Sequence, residues 1–188
     1  MKRFRNGPDR SVDQFYQWAY ADLFTNIIRA VIAEYIVACA IGKETSPRSS
    51  WFGYDFDFEG IKIEVKSTAC FVSGRTPTKS NTYDISARSG SWHPDGTLIS
   101  VDGSARRCAD VYVFAFHWQT DRELADTLDV AQWRFYVVPT AWLNAHLGGR
   151  KTVSRDRIAQ HFSPVPYDRL RDAISRTAGP SGTAAAAE

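Results

Sequence analysis

Hydrophobic and polar positions follow two different periods along this chain, and the change of period marks its elements. Ser11, followed three residues later by Gln14 and then by Phe15 and Trp18, is a capping-box start for a first helix. A second helical stretch covers Leu23 to Ile41 and ends at Gly42, the residue type favoured just past a helix C-terminus. A period of two then takes over. Tyr54, Phe56 and Phe58 alternate with Asp55, Asp57 and Glu59; after Gly60, Ile61, Ile63 and Val65 alternate with Lys62, Glu64 and Lys66. This is the half-buried strand signal, and Glu59-Gly60 between the runs suits a tight hairpin turn. Thr82 to Ala87 is a weaker third strand. The stretch from Arg88 to Arg107 is rich in Ser, Gly and Asp and reads as a long loop, a feature often tied to function.

The β-branched and aromatic runs Ala109–Trp118 and Trp133–Pro139 predict central strands. Thr140 is placed to cap a short helix through His146, and Ser154 and Tyr167 begin two further helical stretches. The order predicts a mixed α/β domain in which helices flank a sheet that starts as an antiparallel meander. Residues 1–176 are expected to form one domain. Residues 177–188, with Gly179-Pro180-Ser181-Gly182 and a run of alanines, are expected to be a disordered tail.

Composition narrows the class without naming a function. A chain of 188 residues with 44% hydrophobic and 23% charged residues is ordinary globular protein, which excludes disordered, collagenous and coiled-coil chains. Its net charge of only +2 permits nucleic-acid binding but does not announce it. Cys39, Cys70 and Cys108 are far apart and form no C-x-x-C pair, so they read as reduced thiols of a cytoplasmic protein. The basic N-terminus is not followed by a signal-peptide core, and the apolar run Ile27–Ile41 is too short to span a membrane.

The hairpin carries the candidate chemistry. With Glu59-Gly60 as a two-residue turn, Phe58 faces Ile61, Phe56 faces Ile63 and Tyr54 faces Val65, which builds one apolar face. On the other face Asp57 meets Lys62, a plain ion pair, whereas Asp55 meets Glu64. Like charges directly opposite are destabilising. Two carboxylates with Lys66 alongside make a hard-cation site suited to Mg2+ or Mn2+. Alternating charges along a strand usually form only its solvated face, and a one-residue bulge would undo this facing. Glu34 adds weight: its helical neighbours Ala30, Val31, Val37 and Ala38 offer no ion pair, so it needs a distant partner. A structural pair with an arginine is the plain alternative.

The pattern Glu34 … Asp55-x8-Glu64-Val65-Lys66 resembles the PD-(D/E)xK nuclease superfamily, whose fold is restriction endonuclease-like. The stretches IAEYIVACAIG, YDFDFEGIKIEVKSTA, ADVYVFAF and WRFYVVPT are also similar to a largely uncharacterised bacterial subgroup of it. The resemblance covers roughly Asn26 to Leu147. Tyr54 stands where the motif has proline. That fold usually places a helix between its third and fourth core strands, yet Arg88–Arg107 has no helical period. Either a loop replaces the helix or the strand count is displaced by one.

The resemblance implies a Mg2+-dependent endonuclease-like hydrolase acting on phosphodiester bonds in DNA, with Mn2+ as the alternative metal and RNA as the alternative substrate. It implies that Asp55, Glu64 and the Val65 carbonyl ligate the metal, that Glu34 completes the shell, and that Lys66 orients or activates the attacking water. The products would be a 5′-phosphate and a 3′-hydroxyl. Many nucleases of this fold cut as dimers, so a homodimer is one expected assembly, and no membrane partner is expected. Arg75, Lys79, Arg88, Arg106 and Arg107 could line a phosphate track, although clustered basic residues are more often a solvated surface. Two rival readings stay open: a catalytically silent nucleic-acid-binding or assembly subunit of the same fold, and an unrelated protein-interaction module. The four histidines lack zinc spacing, and His117 reads as a structural histidine. The clustered-acid picture also predicts that Glu64→Gln stabilises the metal-free protein.

Overall fold

The computed structural model describes residues 2–48, 52–74, 81–92, 97–100 and 105–178. Helix α1 (Val12–Ala19) starts at the capping box of Ser11 and Gln14 and buries none of its residues. Helix α2 (Asn26–Ile41) begins later than the apolar pattern suggests, because the Thr25 side chain accepts the Ile28 N–H and fixes the start. Gly42, at φ 72°, ends it in the left-handed conformation.

Strands β1 (Phe56–Phe58) and β2 (Ile61–Ala69) form the expected hairpin. Strand β3 (Thr82–Asp84) follows, then the short hairpin β4 (Gly90–Trp92) and β5 (Leu98–Ser100), and strand β6 (Val111–His117). Strand β7 (Trp133–Pro139) leads directly into helix α3 (Thr140–Leu147); strand β8 (Thr152–Ser154), helix α4 (Arg155–Ala159) and helix α5 (Leu170–Ala178) complete the chain.

The main sheet has the order β1-β2-β6-β7 and is mixed: β2 and β6 are parallel, and the outer pairs are antiparallel. The meander expected from the sequence therefore stops after two strands. β3 pairs with β8 in a separate two-stranded sheet, and the third strand of the main sheet is β6. The third strand expected at Thr82–Ala87 stays out of the main sheet because Thr82–Asp84 finds its partner far along the chain. The stretch from Arg88 to Arg107, expected to be a loop, contains a hairpin: β4 pairs with β5, and Arg88 and Arg106 exchange backbone hydrogen bonds at 3.0 Å. Between β6 and β7 the described chain has only a 3-10 turn, Val130–Gln132.

One face of the sheet packs Ile63, Val65, Val111, Val113, Phe135 and Val137 beneath α2 and α5. The other packs Tyr112, Phe114, Tyr136 and Val138 beneath β3, β8, α3 and α4. Thr140 does not cap α3: Pro139 occupies the cap position and the Thr140 hydroxyl is buried without a partner. Ser154 does cap α4, accepting the Arg157 N–H at 3.2 Å. Helix α5 runs to Ala178, two residues into the stretch expected to be tail, and residues 179–188 lie outside the described residues. His117 is buried, with Nε2 3.0 Å from the Asp126 carbonyl oxygen and its ring against Trp133. The three cysteines are unpaired. Among the described residues no helix is long and apolar enough to cross a membrane.

Candidate functional site

The site grows from the turn between β1 and β2. Glu59 at φ 55° and Gly60 at φ 82° are both left-handed, the geometry of a two-residue turn that matches strand twist. It sets the register Phe58↔Ile61, Asp57↔Lys62 and Phe56↔Ile63, as the pattern predicts. The expected Asp57–Lys62 ion pair does not form among the described residues. Asp57 accepts the Gly60 N–H instead, and Lys62 Nζ lies 5.7 Å from the centre of the Tyr54 ring.

At Asp55 the regular register ends. The Asp55 N–H donates to the Ile63 carbonyl at 2.8 Å, although Ile63 is already the partner of Phe56. Two residues thus oppose one, as in a bulge. The slip moves Tyr54 off the apolar face it was expected to share with Phe56 and Phe58; it packs against the opposite cluster, with Tyr112 and Phe114. It also turns the Asp55 side chain into the backbone's place: Oδ2 accepts the Val65 N–H at 2.7 Å. Asp55 and Glu64 are therefore not Cα partners, yet their charges remain close. Burial raises the Asp55 carboxyl to about pH 7, and Glu64 and Glu34 push the same way against the Val65 N–H and Lys66.

Glu64 is 4% exposed and lies across from Tyr112 of β6. Its Oε1 accepts from Lys66 Nζ at 2.5 Å and from Arg88 Nη2 at 3.2 Å. Burial and the Glu64 charge together raise the Tyr112 hydroxyl above its usual range. Glu34, 8% exposed on α2, is held by the fork of Arg48: Nε reaches Oε2, and Nη2 reaches Oε1 at 2.9 Å. The distant partner that Glu34 required is thus an arginine just beyond the end of its own helix.

Sequence reasoning missed three participants. Arg48 was visible only as an unspecified arginine. The Phe52 carbonyl accepts from Arg88 Nη1 at 3.2 Å. Asp84 sits on β3 within the influence of Lys66 and Arg88; burial opposes its ionisation, but the Ser86 hydroxyl and N–H and these cations hold it below the usual carboxylate range. A short strand that pairs far along the chain leaves no local signal for this placement.

Of the expected phosphate-contacting residues, Arg88 enters the site. Arg106 is exposed beside it on the bridging backbone. Arg107 is committed to the fold: it donates to Ile85 O, Asn144 Oδ1, Gly148 O and Arg150 O. Arg75 and Lys79 lie outside the described residues. Among the described residues, no three or more His, Cys, Asp or Glu side chains gather closely enough to hold a metal ion. Comparison with protein-family models, curated proteins and solved structures finds no match to this chain.

Proposed function

We propose that the chain is a metal-dependent nuclease of the PD-(D/E)xK type with a restriction endonuclease-like fold, hydrolysing phosphodiester bonds in DNA. The observation that carries this reading is the placement of Asp55, whose side chain accepts the Val65 N–H where the β1–β2 ladder ends, next to Glu64 and its bonded Lys66; burial, then Glu64 and Glu34, push the Asp55 carboxyl up to about 7. Glu34 on α2, Asp55 just ahead of β1 and Glu64 on β2 are oxygen donors of the kind a hard divalent cation takes, and they would have to close in around it. Asp55, Glu64 and the Val65 carbonyl would hold it, with Glu34 completing the shell. When bound, Mg2+ or Mn2+ supplies a lowered water pKa and charge stabilisation at the phosphoryl oxygens.

The chain's own residues do the rest. The Val65 N–H fixes one oxygen of Asp55. Lys66, anchored on Glu64, presents its nitrogen at the same edge to orient the attacking water. The cations Arg48 and Arg88, each bonded to one of the acids, favour a second reading: a subunit of the same fold that binds nucleic acid without cutting it.

Cleavage of plasmid and short duplex DNA in Mg2+ or Mn2+ separates the two. The nuclease reading expects metal-dependent cutting, reduced at least about 100-fold by Lys66→Ala or Asp55→Asn. Retained DNA binding with no cutting in either metal would replace it with the silent-subunit reading.

A further inference from the structure

The first turn of α2 carries a buried charge that the candidate site does not use. Arg29 is 6% exposed, and among the described residues no carboxylate pairs with it. Its Nη1 donates to Asn26 Oδ1 at 2.9 Å and its Nη2 to the Ser67 carbonyl at 3.4 Å, both neutral acceptors. Its Nε and the Ser67 hydroxyl are buried without partners among the described residues. Burial pushes the guanidinium below its usual range, and Tyr83 opposes the shift. A buried cation without a counter-charge is costly; Arg48 and Lys66, by contrast, each hold a carboxylate.

The groups around this charge are those that receive an anion. Thr25 accepts the Ile28 N–H with its side chain and the Arg29 N–H with its carbonyl, which leaves the Asn26 and Ile27 N–H groups without intrahelical partners. Asn26 and Ile27 are both exposed, and the bond from Arg29 to Asn26 brings the guanidinium to this positive end of the helix dipole. Asp22, just ahead of the helix, is taken up by the Ser73 hydroxyl and the Phe24 N–H. Ser67 lies two residues past Val65, so Arg29 meets β2 about 7 Å along the strand from the N–H that Asp55 accepts.

We propose that the first turn of α2, with Arg29 behind it, binds a phosphate group: its oxygens take the Asn26 and Ile27 N–H groups, and its charge offsets that of Arg29. The site is separate from the acid cluster and stands whether or not the chain cuts nucleic acid. A nucleic-acid backbone and a free phosphomonoester present the same oxygens.

Inorganic phosphate is the first probe, with melting of the full chain compared against chloride of equal ionic strength. At about ten times its dissociation constant, phosphate is expected to raise the wild-type melting temperature by about 3 °C. Asn26→Asp sets a carboxylate on Arg29 Nη1 and an acid in the first turn, both favourable to the fold. This variant is expected to melt above the wild type and to lose the phosphate shift. Arg29→Met is expected to bind phosphate about 10-fold more weakly in calorimetric titration, and Asn26→Asp carries the test alone if the methionine protein is unfolded. Duplex DNA separates the two sources. If the ligand is a nucleic-acid backbone, the salt dependence of DNA binding loses about one unit of slope in either variant. An unchanged slope, or no DNA binding at all, with the phosphate shift present in the wild type and lost in Asn26→Asp, assigns the free phosphomonoester and leaves the site standing. No wild-type shift beyond that of chloride, or an equal shift in Asn26→Asp, overturns the site without touching the nuclease reading.

Discussion

Strand β2 behaves as two different strands on either side of Ile63. Up to that residue its outer edge is covered by β1, backbone against backbone, in a register set by the Glu59-Gly60 turn. Beyond it β1 has ended, and side chains take over: Asp55 accepts the Val65 N–H, and Arg29 Nη2 donates to the Ser67 carbonyl at 3.4 Å. The inner edge is paired with β6 from Ile63 to Ala69. Buried backbone groups must find partners, so an interrupted ladder recruits polar side chains to its open edge. Here the recruits are charged. The candidate chemistry therefore sits where regular pairing stops, while the regular half supplies the rigid base.

The sharpest way to break the regular half is Ile63→Ala. Ile63 is fully buried in the face under α2, and its truncation is expected to cost about 2–5 kcal/mol, read as a lowered melting temperature. The irregular half is tested by two acids with opposite expectations. The sequence suggested that Glu64→Gln relieves repulsion, but Glu64 is the buried partner of Lys66 and Arg88. Its neutralisation is expected to destabilise the metal-free protein by about 1–3 kcal/mol in denaturant titration.

Burial, and after it repulsion, fall on Asp55. Its carboxyl is raised from 3.8 to about 7, so the folded state holds that proton more tightly than the unfolded chain does. Its contribution to stability is full below pH 4 and is lost as pH rises to about 7. Asp55→Asn is expected to flatten this slope and to stabilise the metal-free protein by on the order of 1–2 kcal/mol at pH 8. A wild-type stability that rises between pH 4 and 7, with the variant following it, would place the strain elsewhere. The smallest effect is expected at the turn: Gly60→Ala adds a side chain at φ 82°, where nothing crowds it, and should cost about 1 kcal/mol through backbone strain alone.

What could be read in advance followed the range of the interactions. The capping box at Ser11, the Gly42 stop and the hairpin register are decided within a few residues, and the chain spells them out. The bulge at Asp55 is a competition between a carboxylate and a backbone carbonyl for one N–H, and alternation alone cannot decide it. Pairing of β2 with β6, and of β3 with β8, depends on segments far apart, so Thr82–Asp84 was assigned to the wrong sheet. Glu34 shows the intermediate case: its need for a partner is written in its apolar neighbours, but the partner's identity is not.

Helix α1 stands apart from all of this. With no residue inside the core, its eight residues draw on the Ser11–Gln14 box and on rings of their own neighbourhood, Phe4 against Phe15 and Tyr16 against Tyr20. Helices this short are marginal in water, because nucleation costs more than a few turns return. The opening segment is therefore expected to melt and reform independently of the sheet, its amides exchanging with solvent well before those of β6, as hydrogen exchange would show.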